Sequence, residues 1–285
     1  MKACLTSREL IESLSFLRSQ NDSVGFVPTM GALHRGHLSL IEIARKSCTC
    51  VVASIFVNPK QFGPDEDFAT YPRTVKEDLA VLEEAGVDFV FLPSASDLYP
   101  EGFQTGVSNQ KMSRVLCGQY RDGHFDGVLT VVAKLFGIVK PQEAFFGKKD
   151  YQQYLLIRRM VEDLSMGVKV MGCPIIREED GLAMSSRNRR LSDTGRIEAT
   201  AISKALTLVR DSFHSGENRK KELLAIFHQA LAETSSITIQ YCEIRDAVYL
   251  EDIEDTITQP SVMAVAVFLE GVRLIDNVEL GASSE

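Results

Sequence analysis

Over the first 175 residues, short apolar runs alternate with segments of helical periodicity, and this alternation constrains the fold more than any other feature. The apolar runs lie at 23–27, 50–57, 87–92, 144–146 and 168–170. Between them, apolar residues recur three and four positions apart at 38–46, 74–85, 127–139 and 151–164. Nearly continuous apolar strands that alternate with amphipathic helices predict a parallel sheet covered on both faces. We therefore predict a doubly wound α/β domain, with ligands at the carboxyl ends of its strands.

The pattern changes after residue 176, where a polar loop precedes helical and then strand-like segments. The helical segments lie at about 193–212 and 219–232, and the strand-like runs at 237–243, 262–269 and 272–276. Helices followed by strands predict a smaller α+β domain rather than a continuation of the first sheet. The sequence thus predicts two domains, residues 1–175 and 176–285, with a cleft between them.

Composition and charge exclude several classes of protein. With 285 residues, 45% of them apolar and 25% charged, the chain has the composition of a soluble globular protein rather than a disordered one. Its net charge of −8 argues against a broad nucleic-acid-binding surface. Charges at Arg8, Glu9 and Glu12 interrupt any signal-peptide core, and no window is apolar enough to span a membrane. Six scattered cysteines without a C-x-x-C pair indicate free thiols in a reducing compartment, so we expect a cytoplasmic protein.

Two histidines lie where the first of the apolar runs gives way to a helical segment, in PTMGALHRGH at 28–37. His34 and His37 are one turn apart at a helix N-terminus, where backbone N–H groups and the helix dipole favour an anion. Gly36 has no side chain, so a phosphate group could approach the backbone closely. A pair of capping or surface histidines is the alternative. A zinc site is disfavoured, because no cysteine or carboxylate nearby completes a ligand set.

Three further segments bring polar side chains to the expected edge of the sheet. The loop MSSR at 184–187 combines hydroxyls with a guanidinium suited to a triphosphate, although a solvated surface loop would have the same composition. The segment FGKKDYQQ at 146–153 places Lys149 at a strand end and Gln153 one turn after Asp150. Asp150 could contact a ribose hydroxyl or simply cap the helix. The segment NPKQFG at 58–63 presents Gln61 at the same edge.

Taken together, these segments resemble a known family. PTMGALHRGH matches the H-x-G-H phosphate-binding motif of the nucleotidyltransferase superfamily, which includes class I aminoacyl-tRNA synthetases, and MSSR resembles the degenerate form of its KMSKS motif. FVNPKQFGPDEDFATYPRT, GHFDGVLTVVAKLF, FFGKKDYQQ and DGLAMSSRNRRLS are similar to pantothenate synthetases, in the same order and spacing from about residue 20 to 280. The resemblance implies a Rossmann-like nucleotidyltransferase domain followed by a smaller lid domain that carries the MSSR loop.

The resemblance also implies an activity, the ATP-dependent joining of (R)-pantoate and β-alanine to give pantothenate, AMP and pyrophosphate through a pantoyl adenylate. The catalytic residues that it implies are His34, His37, Lys149, Ser185 and Arg187, with both histidines on phosphates and His37 as the proton donor. The implied ATP-binding residues are Met30, Gly31, Ala32, Leu33, His34, Arg35, Gly36, His37, Gly147, Lys148, Lys149, Asp150, Ile176, Met184, Ser185, Ser186 and Arg187. Gln61 and Gln153 are the implied pantoate contacts. Arg121, in RDGHFDG, is implied to lie near the substrates, with an ordinary surface arginine as the alternative.

One position departs from the family pattern, in which the usual string is F-G-E-K-D. Here Lys148 replaces the glutamate, and we align the catalytic lysine with Lys149. Because adjacent side chains that leave a strand point in opposite directions, we expect Lys148 to point to solvent. Mg²⁺ is expected to arrive with ATP, and Glu77 and Asp78 are ligand candidates that a solvated helix face explains equally well. The resemblance further implies a homodimer formed through the amino-terminal domain, whereas His124, His214 and His228 receive no role.

Other functions stay open on the sequence alone. A cytidylyl- or adenylyltransferase that stops at a nucleotide product would explain HRGH and MSSR but not Gln61, Gln153 or the carboxyl-terminal domain. A class I synthetase fragment is disfavoured because the chain has no evident basic extension for tRNA. A non-catalytic ATP sensor would be expected to lack at least one phosphate contact, yet all five residues given a catalytic role are present.

Overall fold

The computed structural model describes residues 1–19, 22–64, 66–232 and 234–281. These residues form a six-stranded parallel sheet followed by a three-stranded antiparallel sheet, each with helices packed against it. The predicted fold class, a doubly wound α/β sheet with a smaller α+β part, is confirmed. Among the described residues, no helix is both long enough and apolar enough to cross a membrane.

The parallel sheet has the strand order β1-β4-β3-β2-β5-β6. Its strands are β1 (Lys2–Cys4), β2 (Val24–Thr29), β3 (Cys50–Ile55), β4 (Phe89–Phe91), β5 (Glu143–Gly147) and β6 (Lys169–Cys173). The helices between them are α1 (Ser7–Ser19), α2 (Arg35–Ser47), α3 (Val75–Glu84), α4 (Ala95–Leu98), α5 (His124–Val139) and α6 (Tyr151–Asp163). From β2 the chain runs outward through β3 to β4, which pairs with the edge strand β1, and it then returns to the other side of β2 with β5. The strand order therefore reverses beside β2, which is where parallel sheets of this type open a crevice for ligands.

Alternate residues of the central strands pack into two separate cores. Phe26 of β2 belongs to a cluster with α1, α5 and α6, whereas the next residue, Val27, packs with α2 and α3 on the opposite face. In β5, Phe146 belongs to the first of these clusters and Phe145 to the second. Because both faces are covered, the strands are apolar throughout, which explains why they were visible in the sequence as continuous runs.

The second sheet has the order β7-β8-β9, formed by Thr238–Asp246, Ser261–Leu269 and Val272–Leu280. Helices α7 (Asp193–His214) and α8 (Lys220–Leu231) cover one face of it. Along β8, Met263 and Val265 face these helices, whereas Val262 and Ala264 pack into the core of the first sheet. The antiparallel sheet is thus buried on both sides, and the two parts of the molecule share an apolar contact.

Polar contacts also join β9 to the turn that follows β5. Asn277 donates through Nδ2 to the carbonyl oxygens of Lys148 and Lys149, at 2.9 and 3.0 Å. Lys148 in turn forms an ion pair with Glu279, with a nitrogen–oxygen distance of 3.1 Å. The expectation that Lys148 points to solvent is therefore wrong, because a carboxylate of the second sheet lies within its reach. That carboxylate is 131 residues away in the sequence, so strand alternation alone could not reveal it.

Candidate active site

The site is built around the turn between β2 and α2. Gly31 and Ala32 have φ angles of 80° and 50°, so two consecutive residues of this turn adopt the left-handed conformation. The backbone N–H groups of Ala32 and Leu33 donate to the carboxylate of Asp78, at 3.0 and 2.8 Å, and Thr74 donates to it at 3.1 Å. A Cβ atom at Gly31 would lie 2.9 Å from the same carboxylate. The buried side chain of Asp78 therefore shapes the turn, and Gly31 is required both by its φ angle and by this close approach.

The positions of Asp78 and Glu77 do not support the role of magnesium ligand for which both were candidates. Asp78 is 3% exposed and accepts three hydrogen bonds beneath the turn, whereas Glu77 is exposed on α3. Neither residue lines the cavity described below. Asp78 thus serves as a structural acceptor, and nothing in the structure brings Glu77 to the site.

His34 and His37 cap α2 and at the same time face each other, with ring centroids 4.1 Å apart. The Nδ1 atom of His34 accepts from the N–H of Gly36, and the Nδ1 atom of His37 accepts from the N–H of His34. A nitrogen that accepts a hydrogen bond carries no proton, so each neutral ring holds its proton on Nε2. The capping and phosphate-binding interpretations are therefore compatible, since capping uses Nδ1 and leaves Nε2–H free to donate.

Burial keeps both rings neutral. It lowers the pKa of His34 to about 4, assisted by the positive charge of Lys149. Burial also lowers the pKa of His37 to about 3, with a further contribution from His34. At neutral pH the pair consequently offers two uncharged N–H donors rather than two imidazolium ions.

A cavity of about 220 Å³ opens in front of this pair, between the carboxyl ends of β2 and β5 and the loop that follows β6. Most of the residues predicted for the site line it: Met30, His34, Gly36, His37, Gln61, Gly147, Lys149, Asp150, Gln153, Ile176, Met184, Ser185, Ser186 and Arg187. The others do not line this cavity. Gly31, Ala32 and Leu33 form the buried turn behind it, Arg35 is exposed, and Lys148 is paired with Glu279.

Three polar side chains of this cavity have no hydrogen-bond or ion-pair partner among the described residues: Lys149, Asp150 and Gln153. Asp150 occupies the N-cap position of α6, but its side chain makes no capping hydrogen bond. The neighbouring Gln152 provides a contrast, since its amide is buried and bonds to Cys117, Met112 and Val115. One of the two adjacent glutamines is thus used by the fold, and the other is available to a ligand.

The pantoate candidate Gln61 lies at the end of a short 3₁₀ turn, Pro59–Gln61. Its Oε1 atom accepts from Asn58 at 3.2 Å, and its Nε2 atom is directed at the sulfur of Met30. Sulfur is a weak acceptor, so this amide can still donate to a substrate oxygen. Asn58, which lines the cavity, was missed as a site residue although its place before Pro59 is typical of a cap.

The MSSR loop is held over the cavity by an acidic residue of the first part of the chain. Arg187 binds the carboxylate of Asp67 through Nε and Nη2, at 3.0 and 2.9 Å, and Arg190 binds the same carboxylate at 2.8 Å. This geometry leaves the Nη1 atom of Arg187 available to a ligand. Ser185 caps the 3₁₀ turn Ser186–Arg190 by accepting from the N–H of Arg187.

A second cavity, of about 390 Å³, adjoins the first and lies between the two sheets. Lys149, Asp150, Gln153, Ser185 and Arg187 line both cavities. Arg121 lines only the second, where its guanidinium is bonded to Glu66 and His124 rather than free. The structure therefore brings Arg121 near the site, with each nitrogen of its guanidinium engaged by a protein acceptor.

A parallel α/β sheet with a His-x-Gly-His turn at its switch point defines a nucleotide-binding protein of the nucleotidyltransferase type. Comparisons with known proteins give the particular family. The sequence profile of the Pantoate-beta-alanine ligase family matches residues 2–279. The chain belongs to this family.

Individual relatives agree with that assignment. Pantothenate synthetase from Sulfurihydrogenibium sp. is 49% identical over 264 residues, which cover 92% of this chain and 94% of the relative. The crystal structure of pantothenate synthetase from Thermus thermophilus is similar with a TM-score of 0.93 at 45% identity, covering 98% of this chain and 99% of that one. Pantoate-beta-alanine ligase from Francisella tularensis, whose crystal structure is a complex with beta-gamma ATP and beta-alanine, is similar with a TM-score of 0.81 at 34% identity, covering 99% of both chains.

The role of Asp78 can be tested by Asp78→Asn, with Glu77→Gln on the same helix as the control. An asparagine amide would set N–H groups against the N–H groups of the turn, so we expect a loss of about 1–3 kcal/mol in the free energy of unfolding. Glu77→Gln should stay within about 0.5 kcal/mol of the parent. Chemical denaturation measures both values. A stable Asp78→Asn variant that only needs more Mg²⁺ for activity would instead identify Asp78 as a metal ligand.

Proposed function

We propose that this chain joins (R)-pantoate to β-alanine at the expense of ATP, giving pantothenate, AMP and pyrophosphate through an enzyme-bound pantoyl adenylate. One observation carries the proposal: the Nε2–H donors of His34 and His37, the ammonium of Lys149 and the amides of Gln61 and Gln153 all face one cavity. Membership of the pantoate–β-alanine ligase family and the ATP and β-alanine bound by the Francisella tularensis relative support the same reaction.

The phosphates of ATP are assigned to the N-terminus of α2. His34 and His37 donate from Nε2, and Lys149 and Arg187, which line the same cavity, add positive charge. Because the histidines are neutral, they stabilise by hydrogen bonding the negative charge that develops on the leaving pyrophosphate. A proton-donor role for His37 requires that the bound triphosphate first raise the pKa of its ring.

Pantoate is assigned to Gln61 and Gln153, because amides can donate to its carboxylate and both donate to and accept from its two hydroxyls. A carboxylate oxygen of pantoate then attacks the α-phosphate, and the bond to pyrophosphate breaks. In the second step the amine of β-alanine attacks the carbonyl of the adenylate, and AMP leaves. Neither step needs a covalent bond to the protein, so catalysis rests on positioning and on charge stabilisation.

Mg²⁺ fits this cavity as a partner of the ATP phosphates rather than as a tightly held ion. Among the described residues, no cluster of three or more His, Cys, Asp or Glu could bind a metal by itself. Asp150 is the one carboxylate that the described residues contribute to the lining of the smaller cavity. One carboxylate together with phosphate oxygens and water is a usual ligand set for Mg²⁺, whose chemistry here is to neutralise phosphate charge.

We also propose the roles of the two domains, the oligomeric state and the cellular location of the enzyme. Residues 1–175 would bind ATP and pantoate, residues 176–285 would act as the lid domain that carries the MSSR loop, and two copies would pair through their amino-terminal domains. All six cysteines are free thiols, which supports a reducing, cytoplasmic location. The acidic net charge of −8 supports a small-molecule enzyme with no nucleic-acid or membrane partner.

Isotope exchange between pyrophosphate and ATP tests the reaction. With Mg-ATP and pantoate but no β-alanine, we expect exchange, because the adenylate forms before the amine is needed. A nucleotidyltransferase with another acceptor or an ATP sensor would show no dependence on pantoate. Exchange that required β-alanine would contradict the two-step order.

The adjacent lysines provide a matched pair of variants. Lys149→Ala should lower kcat and kcat/KM for pantoate-dependent pyrophosphate release together by about 10²–10³-fold, because the ammonium acts mainly in the transition state. Lys148→Gln should stay within a few fold of the parent, since it only breaks the pair with Glu279. Restoring the family glutamate at position 148 is a poor control here, because it would place two carboxylates together. A larger loss in Lys148→Gln than in Lys149→Ala would show that the register through GKKD is wrong.

A further inference from the structure

The first turn of α5 contains a histidine that the proposed reaction does not use. His124 is 9% exposed, and both of its ring nitrogens are engaged. Its Nδ1 atom lies 2.7 Å from the backbone carbonyl oxygen of Gln61, and its Nε2 atom lies 2.9 Å from Nη1 of Arg121. His124 therefore connects the turn that carries Gln61 to a neighbouring arginine.

The two partners determine which nitrogen of His124 holds the proton. A guanidinium can only donate, so Nε2 must accept from Arg121. The proton is then on Nδ1, which donates to the carbonyl oxygen of Gln61, an acceptor. Burial agrees with this uncharged form, because it lowers the pKa of His124 to about 4, with Arg121 as a further cause.

Arg121 is fixed by a third residue. Its Nε and Nη2 atoms donate to the two carboxylate oxygens of Glu66, each at 2.6 Å, and Nη1 donates to His124. Each nitrogen of the guanidinium thus has an acceptor, and bidentate pairs of this kind fix orientation strongly. Arg121, which the family resemblance placed near the substrates, is engaged in orienting His124.

A glycine on the next turn of α5 brings the helix directly against the same backbone. A Cβ atom at Gly127 would lie 2.1 Å from the carbonyl oxygen of Lys60 and 2.7 Å from the nitrogen of Gln61. The carbonyl oxygen of Gly127 also accepts from Asn58 at 3.0 Å, and Asn58 donates to the side chain of Gln61. The 3₁₀ turn is therefore held both by a hydrogen bond from His124 and by backbone contact with α5.

We propose that Glu66, Arg121 and His124 form a chain of positioning residues that sets the Gln61 amide for pantoate. This inference rests on the proposed function, in which Gln61 contacts pantoate. The three residues act through the backbone of Gln61 and touch no substrate themselves. Displacement of the turn would weaken pantoate binding and leave the nucleotide contacts at α2 in place.

Two substitutions at position 124 distinguish the contact of Nδ1 with Gln61 from the contact of Nε2 with Arg121. Asparagine places its amide nitrogen where Nδ1 lies and can still donate to Gln61, whereas glutamine reaches the position of Nε2 and cannot. We expect His124→Gln to raise the pantoate KM about tenfold or more, the scale of one lost buried hydrogen bond. His124→Asn should raise it less than about threefold, and the ATP KM should change little in either variant.

A double variant tests whether the effect passes through Gln61. Gln61→Ala alone should raise the pantoate KM, and adding His124→Gln should then raise it no further, because the side chain that is positioned has gone. If Gln61→Ala leaves the pantoate KM unchanged, the assignment of pantoate to this residue fails. If Gln61→Ala raises it but the two His124 variants behave alike, or their effects add to that of Gln61→Ala, the positioning chain is overturned.

Glu66→Gln provides a variant farther from the buried ring, in case substitution of His124 prevents folding. It removes the charge that orients Arg121, and we expect a smaller rise of the pantoate KM, about twofold to fivefold, with an unchanged ATP KM. Thermal unfolding of every variant reports its effect on the fold. A change in melting temperature without a change in pantoate KM would assign the chain a structural role and contradict the inference.

Discussion

The buried carboxylate of Asp78 accepts hydrogen bonds from two backbone N–H groups of the turn after β2, those of Ala32 and Leu33. This contact decides how the chain leaves the central strand β2, and the direction of α2 follows from it. With α2 in place, His34 and His37 can cap the helix through Nδ1 while their Nε2–H groups face the cavity. The two uncharged donors at the N-terminus of α2 are thus a consequence of one carboxylate placed behind the turn.

The segment between Gln61 and α3 contains two acidic residues, Glu66 and Asp67, that bind arginines from other parts of the molecule. Glu66 orients Arg121, and Asp67 binds Arg187 and Arg190 of the MSSR loop. A short stretch of chain therefore reaches both Arg121, which bonds to His124, and the MSSR loop of the second part of the protein. Glu66 and Asp67 thus support two different parts of the site from adjacent positions in the chain.

Local sequence patterns predicted the architecture well and the supporting contacts poorly. The buried strands and amphipathic helices of the first part were visible because both faces of the sheet are covered. The strand β1 was missed because it has three residues and only Cys4 of them is buried, which gives no periodicity to detect. Helix α1 was also missed, although Leu10 and Leu14, which pack into the core, have helical spacing. The HRGH turn and the glutamines could be placed at one edge of the sheet because each follows the carboxyl end of a strand within a few residues. Asp78, His124 and Lys148 each have one or more partners tens of residues away or more in sequence, and no local pattern reports such a contact.

Nitrogen-15 NMR of histidine side chains is the measurement that most directly tests the central claim, that the turn presents two neutral Nε2–H donors to the nucleotide. His34→Gln and His37→Gln variants would assign the resonances. We expect both rings to be the Nε2–H tautomer at pH 7 and to stay neutral as the pH falls to about 5, and we expect Mg-ATP to shift the Nε2–H signals. A ring protonated on Nδ1 at pH 7, or a titration midpoint near the ordinary value of about 6.5, would contradict it.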